Sequence, residues 1–342
     1  MKMKIVTFGE LMLRLQPFDY LRFVQSSDYE ATFGGGEANV AVSLSNFGLD
    51  AYFVSKLPTN EIGQSGLNSL RRYGVHTDYI VRDNENRMGI YYLEKGASQR
   101  PSKVIYDRKY SAFYFSKESD YDWDVIFKDA KWFHISGITP ALNENMAKIS
   151  IMACKEAKKR GVIVSCDLNY RNKLWSKEEA KITMSEIAKY VDVCIGNEED
   201  ASDVFGIKSS ETDVNSGKLN KEGYKDVARK LKETFGFKKV AITLRTSISA
   251  FDNKWASMLF DGEDYYFSKE YNVHIVDRVG GGDSFSAGLI YALVNDYSSK
   301  DAIEFATAAS CLKHSIEGDY NMVSVDEVKK LISSGGSGRV QR

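Results

Sequence analysis

The stretch Val276-Asp277-Arg278-Val279-Gly280-Gly281-Gly282-Asp283-Ser284-Phe285-Ser286-Ala287-Gly288 decides how this chain folds. An apolar, β-rich run (Val273, Ile275, Val276) enters a turn of three glycines, and a helix-forming stretch follows from Phe285 to Leu293. Glycines let a backbone turn tightly and approach a ligand closely. A helix that starts here aims unpaired N–H groups and the positive end of its dipole at the turn. That geometry binds an anion, most often a phosphate. Asp283 stands beside the site, where its charge disfavours a phosphate. One reason for its presence is general base chemistry on a hydroxyl that attacks phosphorus. The other is N-cap duty at a helix start. On these residues alone the cap is the commoner case.

Outward from this turn the chain alternates strands and helices. A strand over 5–8 opens it. A helix over 38–47 stops at Gly48, a strand covers 51–55, and a helix over 61–73 stops at Gly74. From 132 the period is regular: strands over 132–136, 162–166, 193–196 and 240–244, with helices over 144–160, 177–190, 198–205 and 224–235. Such alternation predicts a mostly parallel sheet covered on both faces. Residues 11–33 lack a helical period, and 89–94, 103–108 and 112–115 alternate as strands do with no helix between them. They predict a small antiparallel sheet beside the main fold, a candidate lid formed from about 11–33 and 87–116. Short strands at 250–251, 258–260 and 265–267 precede the glycine turn, and two helices follow it. A polar insertion covers 208–223. Residues 333–342 read as a flexible tail after a single domain over 1–332.

Composition excludes several functions. The chain has 342 residues, with 46 basic and 47 acidic side chains, so it carries no strong field for nucleic acid or a membrane surface. The four cysteines form no C-x-x-C pair and the four histidines show no metal-ligand spacing. No apolar run is long enough to span a bilayer and no leader precedes the first strand, which predicts a cytoplasmic protein. P-loop, dinucleotide-binding and protein-kinase motifs are all missing.

In open α/β sheets, ligands bind beyond the C-terminal strand ends. Asp167, Asn169 and Arg171 follow one strand, Asn197 to Asp200 a second, Arg245 a third and Asp283 a fourth. Four separated stretches are therefore expected to converge on one crevice.

Asp277-x-x-Gly280-Gly281-Gly282-Asp283-x-x-x-Ala287-Gly288 resembles the C-terminal signature of the ribokinase (PfkB) family of sugar kinases, with Arg278 where most members carry a small residue or proline. The N-terminal signature has its counterpart in Gly34-Gly35-Gly36-Glu37-Ala38-Asn39-Val40-Ala41, followed by Gly48. The resemblance covers nearly the whole chain. It implies a ribokinase-like three-layer α/β/α fold with a mostly parallel central sheet and a small β lid. It also implies ATP and Mg2+, with Asp283 as base and Gly280, Gly281 and Gly282 as an anion hole. Nucleotide contacts are expected at Asn169, Arg171, Asn197, Leu244, Arg245, Thr246, Ser247, Ser249, Gly280 and Gly282. Asn197-Glu198-Glu199-Asp200 resembles the family's Asn-x-x-Glu motif, and the shorter Asp200 limits it to a weak, water-bridged metal contact. A helix N-terminus complementing its dipole explains the same acids. Arg245 stands where a glycine is usual.

Within the family, Gly96-Ala97-Ser98-Gln99-Arg100-Pro101, Tyr106-Asp107-Arg108 and Asp167-Leu168-Asn169-Tyr170-Arg171 look like 2-keto-3-deoxygluconate kinases. The resemblance implies phosphorylation of 2-dehydro-3-deoxy-D-gluconate at its terminal hydroxyl. The sugar acid would lie near Gly34, Gly35, Gly36, Glu37, Ala38 and Asn39, with Tyr92, Tyr106, Arg108, Arg171 and Asp283. Tyr106 and Arg108 are two apart on a strand and share a face; Tyr92 is expected to join them. Taken alone, both arginines read as surface groups. The alternatives are a kinase for a neutral sugar such as fructose or ribose, or a non-catalytic sugar-acid sensor. An exposed lid sheet predicts a homo-oligomer, a dimer or larger.

Overall fold

The computed structural model describes residues 3–197, 199–209 and 221–334. Most of the expected polar insertion and tail lies outside the described residues.

The first strand, β1 (Lys4–Phe8), is buried from Ile5 onward and lies inside the main sheet, toward one edge. β4 (Asp50–Pro58) pairs with it on one side and β8 (Ala130–Ser136) on the other, both parallel. Beyond β8 come β9 (Ile163–Asp167), β10 (Val193–Asn197) and β11 (Lys239–Ser247), all parallel. β5 (Ile80–Asp83) extends the other edge beyond β4. Past β11 the direction reverses: β12 (Asp252–Phe260) runs antiparallel to it and pairs with both β13 (Tyr265–Phe267) and β14 (Tyr271–His274). The parallel strands read as continuous apolar runs because both their faces are covered.

Two separate cores do the covering. One holds Ile149 of α4 (Glu144–Lys159), Met184 of α5 (Lys177–Ala188), Val204 of α6 (Asp200–Phe205) and Leu231 of α7 (Lys221–Phe235). The other holds Leu44 of α1 (Gly36–Asn46), Leu70 of α2 (Glu61–Arg71), Phe285 of α8 (Gly281–Val294), Phe305 of α9 (Ser299–Lys313) and Val328 of α10 (Val325–Ser334). Local chemistry fixes the helix starts: the Asn60, Asn143 and Ser176 side chains each accept a backbone N–H from the first turn of the helix that follows. α8 and α9 pack unusually close. A Cβ placed on Gly288 would lie 2.9 Å from the Ala306 Cα and 3.2 Å from the Ala309 Cβ.

A second sheet has the order β3 (Glu30–Gly34), β2 (Met12–Gln16), β6 (Gly89–Glu94), β7 (Lys103–Asp107). It is not wholly antiparallel, since β2 and β6 run parallel. No strand forms over 112–115. Backbone bonds from Phe115 to Ser111 and from Ser116 to Phe113 close turns there, and Phe113 is drawn into the core against Phe8, with ring centroids 5.4 Å apart. The strand expected at 258–260 is the end of β12, whereas Ala250 and Phe251 form no strand and lie in the turn before it. Among the described residues three helices, not two, follow the glycine turn. β5 and the five-residue α3 (Trp123–Phe127) escape a periodicity search through shortness alone.

Gly288→Val should overpack the α8–α9 contact and lower stability by about 1–3 kcal/mol. Thermal denaturation checks it; an unchanged midpoint would mean the helices separate freely.

Candidate active site

A cleft of about 530 Å³ opens at the C-terminal ends of the parallel strands, between the main sheet and the smaller one. Its floor is built where the two glycine turns meet. Gly280 has φ +81°, a left-handed conformation that favours glycine, and caps α8. A Cβ there would come 2.1 Å from the Asp319 carbonyl oxygen, and one on Gly281 would come 2.7 Å from the His314 ring. Gly282 faces open space. From the other turn, a Cβ on Gly34 would lie 1.9 Å from an Asp319 carboxylate oxygen. Both turns therefore need glycine largely because Asp319 is packed against each.

The first turns of α1 and α8 converge on Asp283. The Asn39 Nδ2 donates to its Oδ2 at 2.7 Å, and the Asn39 Oδ1 accepts the Gly35 N–H at 3.3 Å. Burial pushes the Asp283 carboxyl up to about 7; the Asn39 hydrogen bond pulls the other way, and the Asp319 and Glu37 charges add to the rise. A carboxyl poised near neutrality suits a general base. Burial, with the Asp200 and Asp283 charges, also pushes neighbouring Asp167 well up.

Behind the turn lies a buried ion cluster. Arg14 on β2 donates to Asp277 at 2.5 Å and to Asp319 at 2.6 Å. The Tyr91 hydroxyl lies 2.6 and 2.7 Å from the two Asp319 oxygens. Asp277 in turn accepts the Val279 N–H at 3.0 Å and the Gly318 N–H at 3.1 Å. The smaller sheet is thereby tied to the glycine turn by charged hydrogen bonds.

Arg171, Arg245 and Arg278 line the cleft and form no ion pair among the described residues. The Arg278 guanidinium makes one hydrogen bond among the described residues, to the Ala250 carbonyl at 3.3 Å. Burial, with the Arg245 charge facing it, pushes its guanidinium below the usual range. Arginines that are not tied up in ion pairs are suited to receive a polyanion.

The structure brings together Gly35, Gly36, Asn39, Tyr106, Asn169, Arg171, Asn197 and Arg245 with the Gly280–Asp283 turn. Asn169 has φ +37°, a left-handed backbone rare for a non-glycine. Several expected residues do other work. Tyr92 points away and packs edge-on between Phe23 and Tyr29; its neighbour Tyr91 faces the cleft, because the strand register pairs Tyr106 with Tyr91. Ala38 is buried in α1, and Gly34 ends β3 away from the cleft lining. The Glu37 carboxylate is committed to the Ser136 N–H and hydroxyl (3.0 and 2.7 Å) and the Thr139 hydroxyl (3.1 Å), tying α1 to β8. β11 continues through Ser247, so alternation turns Thr243 and Arg245 to the cleft and Leu244 into the core. Thr246 and Ser247 belong to that strand, not to a turn, and line no part of the cleft. Ser249 caps the β11–β12 turn by accepting the Phe251 and Asp252 N–H groups. Each Asp200 oxygen accepts a backbone N–H, from Tyr170 at 3.1 Å and Asn197 at 2.9 Å. Arg108 is buried against Glu10, its Nε at 2.8 Å and Nη2 at 2.6 Å from one carboxylate oxygen.

Glu10, Tyr91, Asp277 and Asp319 escaped the sequence reading as site residues. Glu10 had a signal, since it follows β1 just as Asp283 follows its strand. Asp319 had little, being one acid in the connection after α9.

This fold and site define a carbohydrate kinase: residues 2–325 match the model of the pfkB family carbohydrate kinases, and the chain belongs to that family. Among solved structures, 2-dehydro-3-deoxygluconokinase from Thermotoga maritima is 51% identical with a TM-score of 0.93, over 97% of this chain and 99% of the other. The 2-dehydro-3-deoxygalactonokinase of Haloferax volcanii is 31% identical over 338 residues, 99% of either chain. The 2-dehydro-3-deoxygluconokinase of Bacillus subtilis is 28% identical over 324 residues, 94% of this chain and 92% of the other.

Asp283 makes a pH test available. Its carboxyl sits near 7 in the folded state against an ordinary 3.8, so folding binds a proton between those values and stability falls as pH rises through them. Asp283→Asn, which removes the charge, should leave stability unchanged near about pH 4 and raise it above about pH 7. Melting curves at the two pH values check this; equal effects at both would contradict it.

Proposed function

We propose that this chain transfers a phosphoryl group from ATP to the terminal hydroxyl of 2-dehydro-3-deoxy-D-gluconate, giving the 6-phosphate. One observation carries the reading: a near-neutral Asp283 at the joint of two helix N-termini, inside a cleft rimmed by arginines that form no ion pair among the described residues. The names of the similar proteins from Thermotoga maritima and Bacillus subtilis support the substrate.

In this reading Asp283 accepts the proton of the attacking hydroxyl. The N–H groups of the Gly280–Gly282 turn receive charge on the transferring phosphoryl group. Asn39 aims the Asp283 carboxylate. Arg245 and Arg278 hold nucleotide phosphates, and Arg171 reaches the sugar-acid carboxylate or a phosphate from the opposite wall. The Arg108–Glu10 pair and Tyr106 read sugar hydroxyls, since the Arg108 charge is already matched. Asn169 and Asn197 shape the nucleotide end.

Among the described residues no group of three or more His, Cys, Asp or Glu side chains could hold a metal. That donor set fits Mg2+ carried by the phosphates and its own waters, with Asp200 at most behind a water; bound there, the ion would neutralise phosphate charge.

The smaller sheet acts as a lid over the sugar. Its edge strand β7 exposes Ile105 and Tyr106 and pairs with a second copy of the chain; a monomer in sedimentation would remove that step. All four cysteines are free, which fits the reducing cytoplasm where ATP is found.

A coupled ADP-release assay tests the reading with 2-keto-3-deoxygluconate, its galactonate epimer, fructose, ribose and gluconate. Turnover confined to the keto-deoxy acids is expected, and turnover on fructose or ribose instead would overturn the substrate. Asp283→Asn should lower kcat by at least about a hundredfold and spare sugar binding.

A further inference from the structure

Asp277 and Asp319 hold the glycine turn from behind, and both are buried. Arg14 bridges the two but brings a single positive charge. The balancing charge is Lys313, the last residue of α9, with no solvent exposure. Its ammonium donates to the Ile316 carbonyl at 3.1 Å, the one hydrogen bond it makes among the described residues. A Cβ on Gly280 would lie 3.2 Å from the Lys313 Cε, so the side chain runs directly beneath the turn. The same end of α9 carries the His314 ring against Gly281, and the Ser310 hydroxyl donates to the Gly281 carbonyl at 2.7 Å. Lys313 does not line the cleft, so it acts on a substrate only through its field.

A buried ammonium is expensive unless its charge is matched, and a methionine would fill the space without that cost. Burial does push the Lys313 ammonium below its usual range, while the Asp277 and Asp319 charges pull it back. Together the two aspartates, Arg14 and Lys313 are neutral. Without Lys313 the group carries one net negative charge immediately behind the N–H groups that meet a phosphate.

We propose that Lys313 is a built-in counter-cation for the phosphate-binding turn, a positioning residue that cancels the second aspartate so the positive end of α8 reaches the transferring phosphoryl group undiminished. The inference rests on the kinase reading above. Its effect falls on the step in which charge moves on the phosphoryl group, and so on kcat more than on sugar binding. It also predicts that shortening the side chain leaves an ammonium-sized hole at the Ile316 carbonyl, within the field of the two carboxylates, which a small cation can fill.

The test compares wild type, Lys313→Met and Lys313→Ala with ATP, magnesium and 2-keto-3-deoxygluconate, first in tetramethylammonium chloride and then with added ammonium, methylammonium or potassium chloride. Lys313→Met should lose roughly a hundredfold in kcat with its sugar KM little changed, and should not respond to cations because the thioether fills the hole. Lys313→Ala should lose as much and recover at least about tenfold with ammonium or methylammonium. The wild type should be indifferent to the salt. Full turnover in Lys313→Met, or no recovery of Lys313→Ala with any cation, overturns the proposal; the second result decides the matter even if Lys313→Met does not fold. A wild type inactive on every sugar would sink the kinase reading and this inference together, whereas an active wild type with indifferent variants sinks the inference alone.

Discussion

Arg14 is the pin of this structure. It starts on a strand of the smaller sheet and ends between two aspartates that belong to the glycine turn and to the connection after α9. Asp319 is the other half of the pin. Its carbonyl presses on Gly280 and its carboxylate on Gly34, so one residue sets the position of both glycine turns. The sheet above the cleft, the N-terminus of α8 and the turn before α1 therefore share one buried, fully charged joint. Removing one partner of such a joint strands the other charges, a cost of about 3–5 kcal/mol. That penalty explains how an exposed cleft keeps a fixed floor.

Charge is arranged by depth. The acids lie low: Glu37, Asp167 and Asp283 are held up from their usual range, chiefly by burial. Arg171, Arg245 and Arg278 line the same cleft and form no ion pair among the described residues. In the proposed reaction a polyanion enters against the arginines and the helix N-terminus, while the hydroxyl to be phosphorylated finds a carboxyl ready to take a proton near neutral pH. The two halves stay apart because Asn39, not an arginine, is the group bonded to Asp283; an arginine there would hold the carboxylate ionised and weaken it as a base.

Most of the fold was legible. Each parallel strand announced itself as an apolar run, and Gly48, Gly74 and Gly161 ended their helices with left-handed backbones. That the glycine turns, Asp283, Arg171 and Arg245 share one cleft could be read because they lie at strand ends, whereas Arg278 was read only as a departure from the family signature. What could not be read depends on register and on distant packing. Tyr91 and Tyr92 are the same residue type, so only the pairing with Tyr106 decides which faces the cleft. Arg108 looked free until Glu10, 98 residues away in sequence, arrived beside it. Arg14 and Asp319 are 305 residues apart and no short motif joins them. Residues 112–115 alternate like a strand, but the pull of the core on Phe113 outweighs that pattern.

The central claim is that the joint of the two turns makes Asp283 a base poised near neutrality. The most direct test is the pH dependence of kcat/KM for 2-keto-3-deoxygluconate at saturating ATP. A one-proton fall below about pH 7 is expected, tenfold per unit, as Asp283 takes up its proton. A profile flat down to about pH 5.5 would contradict it.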